Sequence, residues 1–393
     1  MFETLQPAAP DKILSLMGLF RNDPRPNKID LGVGVYRDAA GHTPVMRTVR
    51  EAERRLYETE DTKTYLGPAG DAAYCAAVAR IVFGESFPAE RIRAAQTPGG
   101  AGALRILAGL IARAKAGATV WMPDPTWVNH PAILEDAGLK TREYAYFDPV
   151  VKGVQIDAML ASLRQAAPGD VILLHGCCHN PTGASLADAD WDSVCDLLQE
   201  RSLVPFVDLA YQGFGDGLEP DAYAVRLFAR RLPEMLLAVS NCKNFSIYRE
   251  RTGCAFVMAE SAARAEITHG QLLIGARVGY SMPPDHGASI VRIILQDGAL
   301  AAEWRIELEA MRARVVDLRT QLAQAFRLRT NSDRYDFLTR HRGMFSLIGT
   351  TPEQAERLRG DHAVYIVADG RINVAGLRKE QIEPFVAAVL AVQ

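Results

Sequence analysis

The chain reads as an α/β protein: a large domain with a mainly parallel sheet flanked by helices, plus a smaller α/β domain. Three observations predict this. From about Val45 to Arg312, short apolar β-rich runs alternate with helical patterns, as βαβ units around a parallel sheet do. At 393 residues the chain is too long for one simple core. A long helical run, Ala299 to Arg327, then separates the alternating region from a C-terminal part with strands of its own.

Thr119–Met122, Val171–His175, Val204–Val207 and Met235–Val239 are expected strands, short and apolar on both faces because helices cover both sides of such a sheet. Amphipathic stretches at Ala101–Ala114 and Asp190–Arg201 are the intervening helices. Arg342–Ile348, Ala363–Val367, Arg371–Val374 and a helix from Lys379 make the smaller domain, expected over 313–393 with 15–44 as a split partner. The large domain then runs over 45–312. No internal repeat, low-complexity tract or Pro/Gly/Ser linker stands out.

With 48% hydrophobic and 23% charged residues, the composition is that of a globular enzyme. A net charge of −3 and the lack of long like-charge blocks argue against nucleic acid or a membrane surface as partners. Met1-Phe2-Glu3-Thr4 has no basic start, and Ile13–Phe20 is too short to span a bilayer, so a cytoplasmic protein is expected. The six cysteines show no CxxC spacing and read as reduced thiols. In His175-Gly-Cys-Cys-His179, neighbouring side chains on an extended segment would point to opposite sides. Packing at a strand end, and no metal, is therefore expected there.

Open parallel sheets bind ligands at the carboxyl ends of their strands. After Val171–His175 comes Asn180-Pro-Thr-Gly183; after Val204–Val207 come Asp208 and Tyr211; after Met235–Val239 come Ser240 and Lys243. Taken singly, Lys243 could be a surface lysine, Asp208 a helix cap and Tyr211 a core residue. Together they match the needs of pyridoxal phosphate: a lysine for its aldehyde, a carboxylate for its ring nitrogen, and hydrogen bonds for its ring oxygen. Lys243, Asp208, and Tyr211 with Asn180 fit these in order. Thr97-Pro-Gly99-Gly100-Ala101-Gly102 offers a glycine-rich turn into a helix N-terminus for the phosphate, completed by Ser240 and Arg251. That turn forms neither a nucleotide fingerprint nor a Walker loop.

On these residues the chain resembles the fold-type I aminotransferases, in their aspartate and aromatic amino-acid branch. The likeness runs from about Pro10 to the C-terminus. It passes through Leu31-Gly-Val-Gly-Val35-Tyr36, Tyr65-Leu-Gly67, Gln96-Thr-Pro-Gly-Gly100, His175 to Gly183, Asp208-Leu-Ala-Tyr211-Gln-Gly213, Ser240 to Gly253 and Arg371-Ile-Asn-Val374. The resemblance implies the pyridoxal-phosphate transferase fold type I, a homodimer with shared active sites, and residues 1–14 as an arm on the neighbour. It also implies that Trp127 stacks on the cofactor with His130 behind it, that Arg371 grips the substrate α-carboxylate, and that Gly34 lines the substrate site. By the same resemblance, Arg277 reaches from the partner to the distal carboxylate of dicarboxylic substrates, and Tyr65 touches the phosphate across the interface.

The implied activity is a two-stage exchange of amino groups between amino acids and 2-oxo acids. Met282 stands where aspartate-specific relatives place an asparagine, and Ala101 replaces a hydroxyl residue beside the phosphate. Cys242 and Ser246 replace a serine and a glycine around the lysine. The first two changes make the pocket less polar, and methionine adapts to large apolar groups. The expectation is an aromatic amino-acid aminotransferase that takes phenylalanine, tyrosine and acidic substrates with 2-oxoglutarate. Aspartate aminotransferase, converting L-aspartate and 2-oxoglutarate to oxaloacetate and L-glutamate, is the alternative.

Overall fold

Seven strands form the central sheet of the computed structural model, which describes residues 1–7 and 12–393. They are β1 (Ile92–Pro98), β2 (Thr119–Asp124), β3 (Lys140–Ala145), β4 (Val171–His175), β5 (Val204–Leu209), β6 (Met235–Ser240) and β7 (Thr252–Met258). Their spatial order is β1, β7, β6, β5, β4, β2, β3. All neighbours from β6 to β3 run parallel, whereas β7 is antiparallel to both β6 and β1. The four strands expected from sequence are present, three of them one or two residues longer. Every residue of β4 is buried because helices pack on both faces.

Parallel β4, β5 and β6 end on the same edge of the sheet, and register sets His175 opposite Asp208, and Asp208 opposite Ala238. The helix Gly99–Ala114 follows β1 and buries Ala103, Leu104, Leu107 and Ile111 against the sheet. Its N-terminus has no side-chain cap, so its first N–H groups point at the same edge.

Two short sheets join distant parts of the chain. Ile29–Asp30 pairs in parallel with Val364–Tyr365, and Phe345–Leu347 pairs antiparallel with Arg371–Asn373. Around them lies a separate buried cluster that includes Leu31, Phe326, Phe337, Ile372 and Phe385. The helix Gly298–Thr330 spans its 33 residues, about 50 Å at 1.5 Å per residue, and starts on the Asp297 side chain, which accepts from the Ala299 and Leu300 N–H groups. It ends at Asn331 in the left-handed conformation. Trp304, Leu308 and Met311 on its first half enter the core beside the large sheet, while Leu318, Leu322 and Phe326 enter the C-terminal cluster.

Met1, Phe2 and Leu5 are exposed. The arm expected over 1–14 includes residues 8–11, which lie outside the described residues, and a helix, Lys12–Asn22, begins within it. Among the described residues no helix is long and apolar enough to cross a membrane.

Candidate active site

Where β4, β5 and β6 end, a cavity of about 300 Å³ opens between the sheet edge and the Phe345–Leu347/Arg371–Asn373 pair. Lys243, Asp208, Tyr211, Asn180, Ser240 and Arg251 line it, and so do Gly100, Ala101, Trp127, Gly34 and Arg371. Of the residues singled out from sequence, Gly99, Tyr65, His130, Arg277 and Met282 are not part of its wall. Gly99 lies just behind, at φ +70°, and a Cβ there would come within 2.6 Å of the Arg251 guanidinium. Tyr65 is 88% exposed, and Arg277 is exposed near the end of the helix Ala262–Tyr280 with no ion-pair partner among the described residues.

One end of the cavity is built for an anion. The uncapped N-terminus at Gly99, the Ser240 hydroxyl and Arg251 converge there. Arg251 donates to the Cys242 sulfur at 3.2 Å and to the Tyr248 carbonyl at 3.1 Å, and it has no carboxylate partner among the described residues. Its guanidinium is therefore available to a phosphate.

The floor is formed by Asp208, buried at the end of β5. Its Oδ2 lies 3.1 Å from His130 Nε2, His130 Nδ1 lies 2.8 Å from Thr126 Oγ1, and Thr126 Oγ1 lies 3.1 Å from His175 Nε2. With His130 Nε2–H donating to Asp208, the Thr126 hydroxyl donates to Nδ1 and accepts from His175. Burial alone would raise the Asp208 pKa, but the His130 hydrogen bond and the nearby Lys243 ammonium bring it below the usual value. His175 is itself held down to about 3 by burial and stays neutral. Behind it the His179 ring packs 4.1 Å away, with Tyr146 stacked 4.1 Å beyond.

Lys243 Nζ sits 4.3 Å over the Tyr211 ring. Burial lowers its pKa, and Arg251 adds to that, against the opposing pull of Cys242 and Asp208. Burial pushes the Tyr211 phenol well up, and its oxygen accepts from Asn180 Nδ2 at 3.4 Å.

The opposite end holds a second cation. Arg371 donates to Asn180 Oδ1 at 3.3 Å and to the Gly32 carbonyl at 3.1 Å, while its Nε is buried with no partner. The Phe345 ring lies 4.6 Å from this guanidinium. A buried guanidinium that lines a cavity and has no carboxylate paired with it among the described residues is a seat for a planar carboxylate.

Sequence reasoning did not single out Ile13, Asn129, Tyr248 and Phe345 as wall residues. Tyr248, inside the lysine motif, was open to discovery because its hydroxyl accepts from the Tyr36 N–H at 3.0 Å and so ties two motifs together. The cysteine pair corrects an expectation. Cys178 has φ 50°, so the segment turns there, and both thiols face the Asp221 carboxylate with ligand atoms within 4.8 Å of one another. Asp221 is occupied by the N–H groups of Gly213, Gly215 and Asp216.

The geometry has clear relatives. The family model described as "Aminotransferase class I and II" matches residues 26–389. An aromatic-amino-acid aminotransferase of Paracoccus denitrificans is 48% identical over 392 residues, covering 100% of both chains. The aspartate aminotransferase of Escherichia coli (strain K12) is 42% identical over 395 residues, again with 100% of both covered. A crystal structure of an aromatic-amino-acid aminotransferase from Burkholderia pseudomallei, covalently bound to pyridoxal phosphate, superposes with a TM-score of 0.97 at 40% identity, covering 100% of this chain and 99% of that one. An uncapped helix N-terminus with an arginine that has no carboxylate partner among the described residues, a buried carboxylate and a lysine of lowered pKa, set around one cavity, fit that cofactor's phosphate, ring nitrogen and aldehyde. The chain belongs to the class I and II aminotransferases and is a pyridoxal-phosphate-dependent transaminase of the fold-type I architecture.

Proposed function

We propose that the chain is an aromatic amino-acid aminotransferase that passes amino groups from phenylalanine or tyrosine to 2-oxoglutarate, and that also accepts acidic amino acids. The observation that carries the reading is Arg371, a buried cation lining a cavity whose other end suits a phosphate. The names of the relatives from Paracoccus denitrificans and Burkholderia pseudomallei support the aromatic preference. Met282 supports it too, as an apolar residue five positions after Arg277.

Bound pyridoxal phosphate supplies an electron sink that makes the substrate α-proton removable and a carrier that stores the amino group between the two half-reactions. The protein's residues do the rest. Ser240, Arg251 and the N–H groups at Gly99–Ala101 would hold its phosphate, and Trp127 would lie against its ring. Asp208, kept ionised by the His130 hydrogen bond, would hold a proton at the ring nitrogen, while Tyr211 and Asn180 would hydrogen-bond the ring oxygen. Lys243 Nζ would hold the cofactor at rest. Once the substrate amino group takes its place there, Nζ would accept the proton of the substrate α-carbon and hold it for return, a task its lowered pKa suits. Arg371 would fix the α-carboxylate through paired hydrogen bonds, with Gly34 and the Phe345 ring lining the cavity beside it.

The working unit in this reading is a homodimer. Tyr65, Val278 and the N-terminal Met1, Phe2 and Leu5 are exposed, and Tyr65 and Arg277 stand outside the chain's own cavity, as residues serving a neighbour's site would. Residues 15–44 and 313–393 form the small domain and 45–312 the large one, with the C-terminal buried cluster as the small domain's core. The compartment is the cytoplasm. The Escherichia coli relative's name favours a second reading, aspartate aminotransferase. Single-turnover absorbance after mixing the cofactor-loaded protein with L-phenylalanine or L-aspartate separates them. Comparable or faster reaction with phenylalanine supports the aromatic enzyme; a hundredfold or greater preference for aspartate, about 2.7 kcal/mol in transition-state binding, makes it the aspartate enzyme.

A further inference from the structure

Arg319, on the inner face of the helix Gly298–Thr330, is 2% exposed and has no carboxylate partner among the described residues. All of its donors go to one short segment. Nε and Nη2 reach the Gly343 carbonyl at 3.2 and 2.7 Å, and Nη2 also reaches the carbonyls of Phe345 at 2.7 Å and Arg342 at 3.4 Å. Nη1 reaches Ser346 Oγ at 2.8 Å and the Leu338 carbonyl at 3.4 Å. A guanidinium satisfied only by carbonyl dipoles and a hydroxyl fixes the geometry of the groups around it rather than balancing an opposite charge.

What that segment carries is the wall of the substrate end. The Phe345 ring lies 4.6 Å from the Arg371 guanidinium and meets the Tyr211 ring edge-on at 6.0 Å. Its tip would be 2.8 Å from a Cβ at Gly34, so the ring fills the space that this glycine leaves open. The Arg342 N–H donates to the Gly183 carbonyl at 2.8 Å, which ties the segment to the loop of Asn180. Arg371 pairs with the same segment across the strand, at Leu347.

We propose that Arg319 is a positioning residue for substrate binding: by clamping the carbonyls of residues 342–345, it holds the Phe345 ring on which Arg371 lies ready for the α-carboxylate. The inference rests on the reading of Arg371 given above. Every amino-acid substrate carries an α-carboxylate, so the effect is common to aromatic and acidic donors and does not extend to the Lys243 and Asp208 end.

The test compares cofactor-loaded Arg319→Lys, Phe345→Leu and Arg371→Lys with the parent protein. Lysine keeps the charge of Arg319 but lacks the planar fork, and Phe345→Leu removes the ring while leaving the clamp. Both variants are expected to raise KM for phenylalanine and aspartate alike by about tenfold, with kcat within about threefold and the pH titration of the lysine–cofactor absorbance band unmoved. Unchanged KM in both, with or without a fall in melting temperature, overturns the proposal; so does a KM rise accompanied by a shifted band titration. Should Arg319→Lys fail to fold, Phe345→Leu alone decides it by the same criteria. Arg371→Lys separates the two possible failures. If it raises KM and the others do not, only the role of Arg319 falls; if it too leaves KM unmoved, the carboxylate reading falls and the inference with it.

Discussion

Replacing Arg371 by leucine removes the cation at the substrate end and leaves a shorter apolar side chain. The side chain is 4% exposed and spends one donor of each terminal nitrogen on Asn180 and Gly32, at 3.3 and 3.1 Å, which leaves one N–H on each. A planar carboxylate bound by such a fork gains two charge-assisted hydrogen bonds, each about 1.5–3 kcal/mol. Allowing for water that enters the emptied space, a loss of about 4 kcal/mol follows, or about a thousandfold in kcat/KM. Folding stability changes far less, because the variant trades an uncompensated buried cation for two acceptors left unpaired, and these costs offset. Steady-state kinetics with phenylalanine and with aspartate, alongside a thermal melt, give the readout. Both donors should lose kcat/KM by similar factors, since both present the same α-carboxylate. A loss under about tenfold, or a loss confined to aspartate, would refute the reasoning, the second by moving Arg371 to the side-chain end of the substrate.

Three further outcomes follow from the site. Asp208→Ala should retain cofactor but lose most turnover, because no carboxylate then holds a proton at the ring nitrogen; near-native turnover measured at saturating cofactor removes that role. In the cofactor-free protein, burial sets the Lys243 pKa below its ordinary 10.5, so the unfolded chain binds the extra proton between the two values and the native state gains stability as pH rises through that window. Lys243→Met should therefore melt at a higher temperature than the parent at neutral pH, with the gap closing as pH approaches 10.5, and a pH-independent gap counts against the burial argument. Met282→Asn should shift the ratio of efficiencies towards aspartate, and an unchanged ratio leaves the aromatic preference without its sequence support.

Much of the site was legible because its chemistry sits in short motifs next to strand ends. Once Val171–His175, Val204–Val207 and Met235–Val239 are read as parallel strands, the residues just after them fall on one edge, and Asn180, Asp208 and Lys243 meet without any knowledge of packing. Phe345 and Arg319 were not legible in this way. An apolar residue in a strand and an arginine in a helix have ordinary local readings, and their importance arises only where the long helix meets the loop of residues 342–346. Cys178 misled because a positive φ at a non-glycine residue leaves no mark in the hydrophobic pattern. The antiparallel insertion of β7 between β1 and β6 was likewise hidden, since Thr252–Met258 is as apolar as its parallel neighbours and direction is decided by the connection. Tyr65 and Arg277 carry their proposed roles only towards a second subunit, and on a single chain they are simply exposed side chains.

The claim on which everything else depends is that Lys243 holds the cofactor at this strand-end cavity. Borohydride reduction of the cofactor-loaded protein, followed by proteolysis and mass mapping of the phosphopyridoxyl group, tests it directly. The account predicts the label on Lys243, within the peptide that also contains Cys242 and Asn244; a label on any other lysine, with Lys243 unmodified, would contradict it.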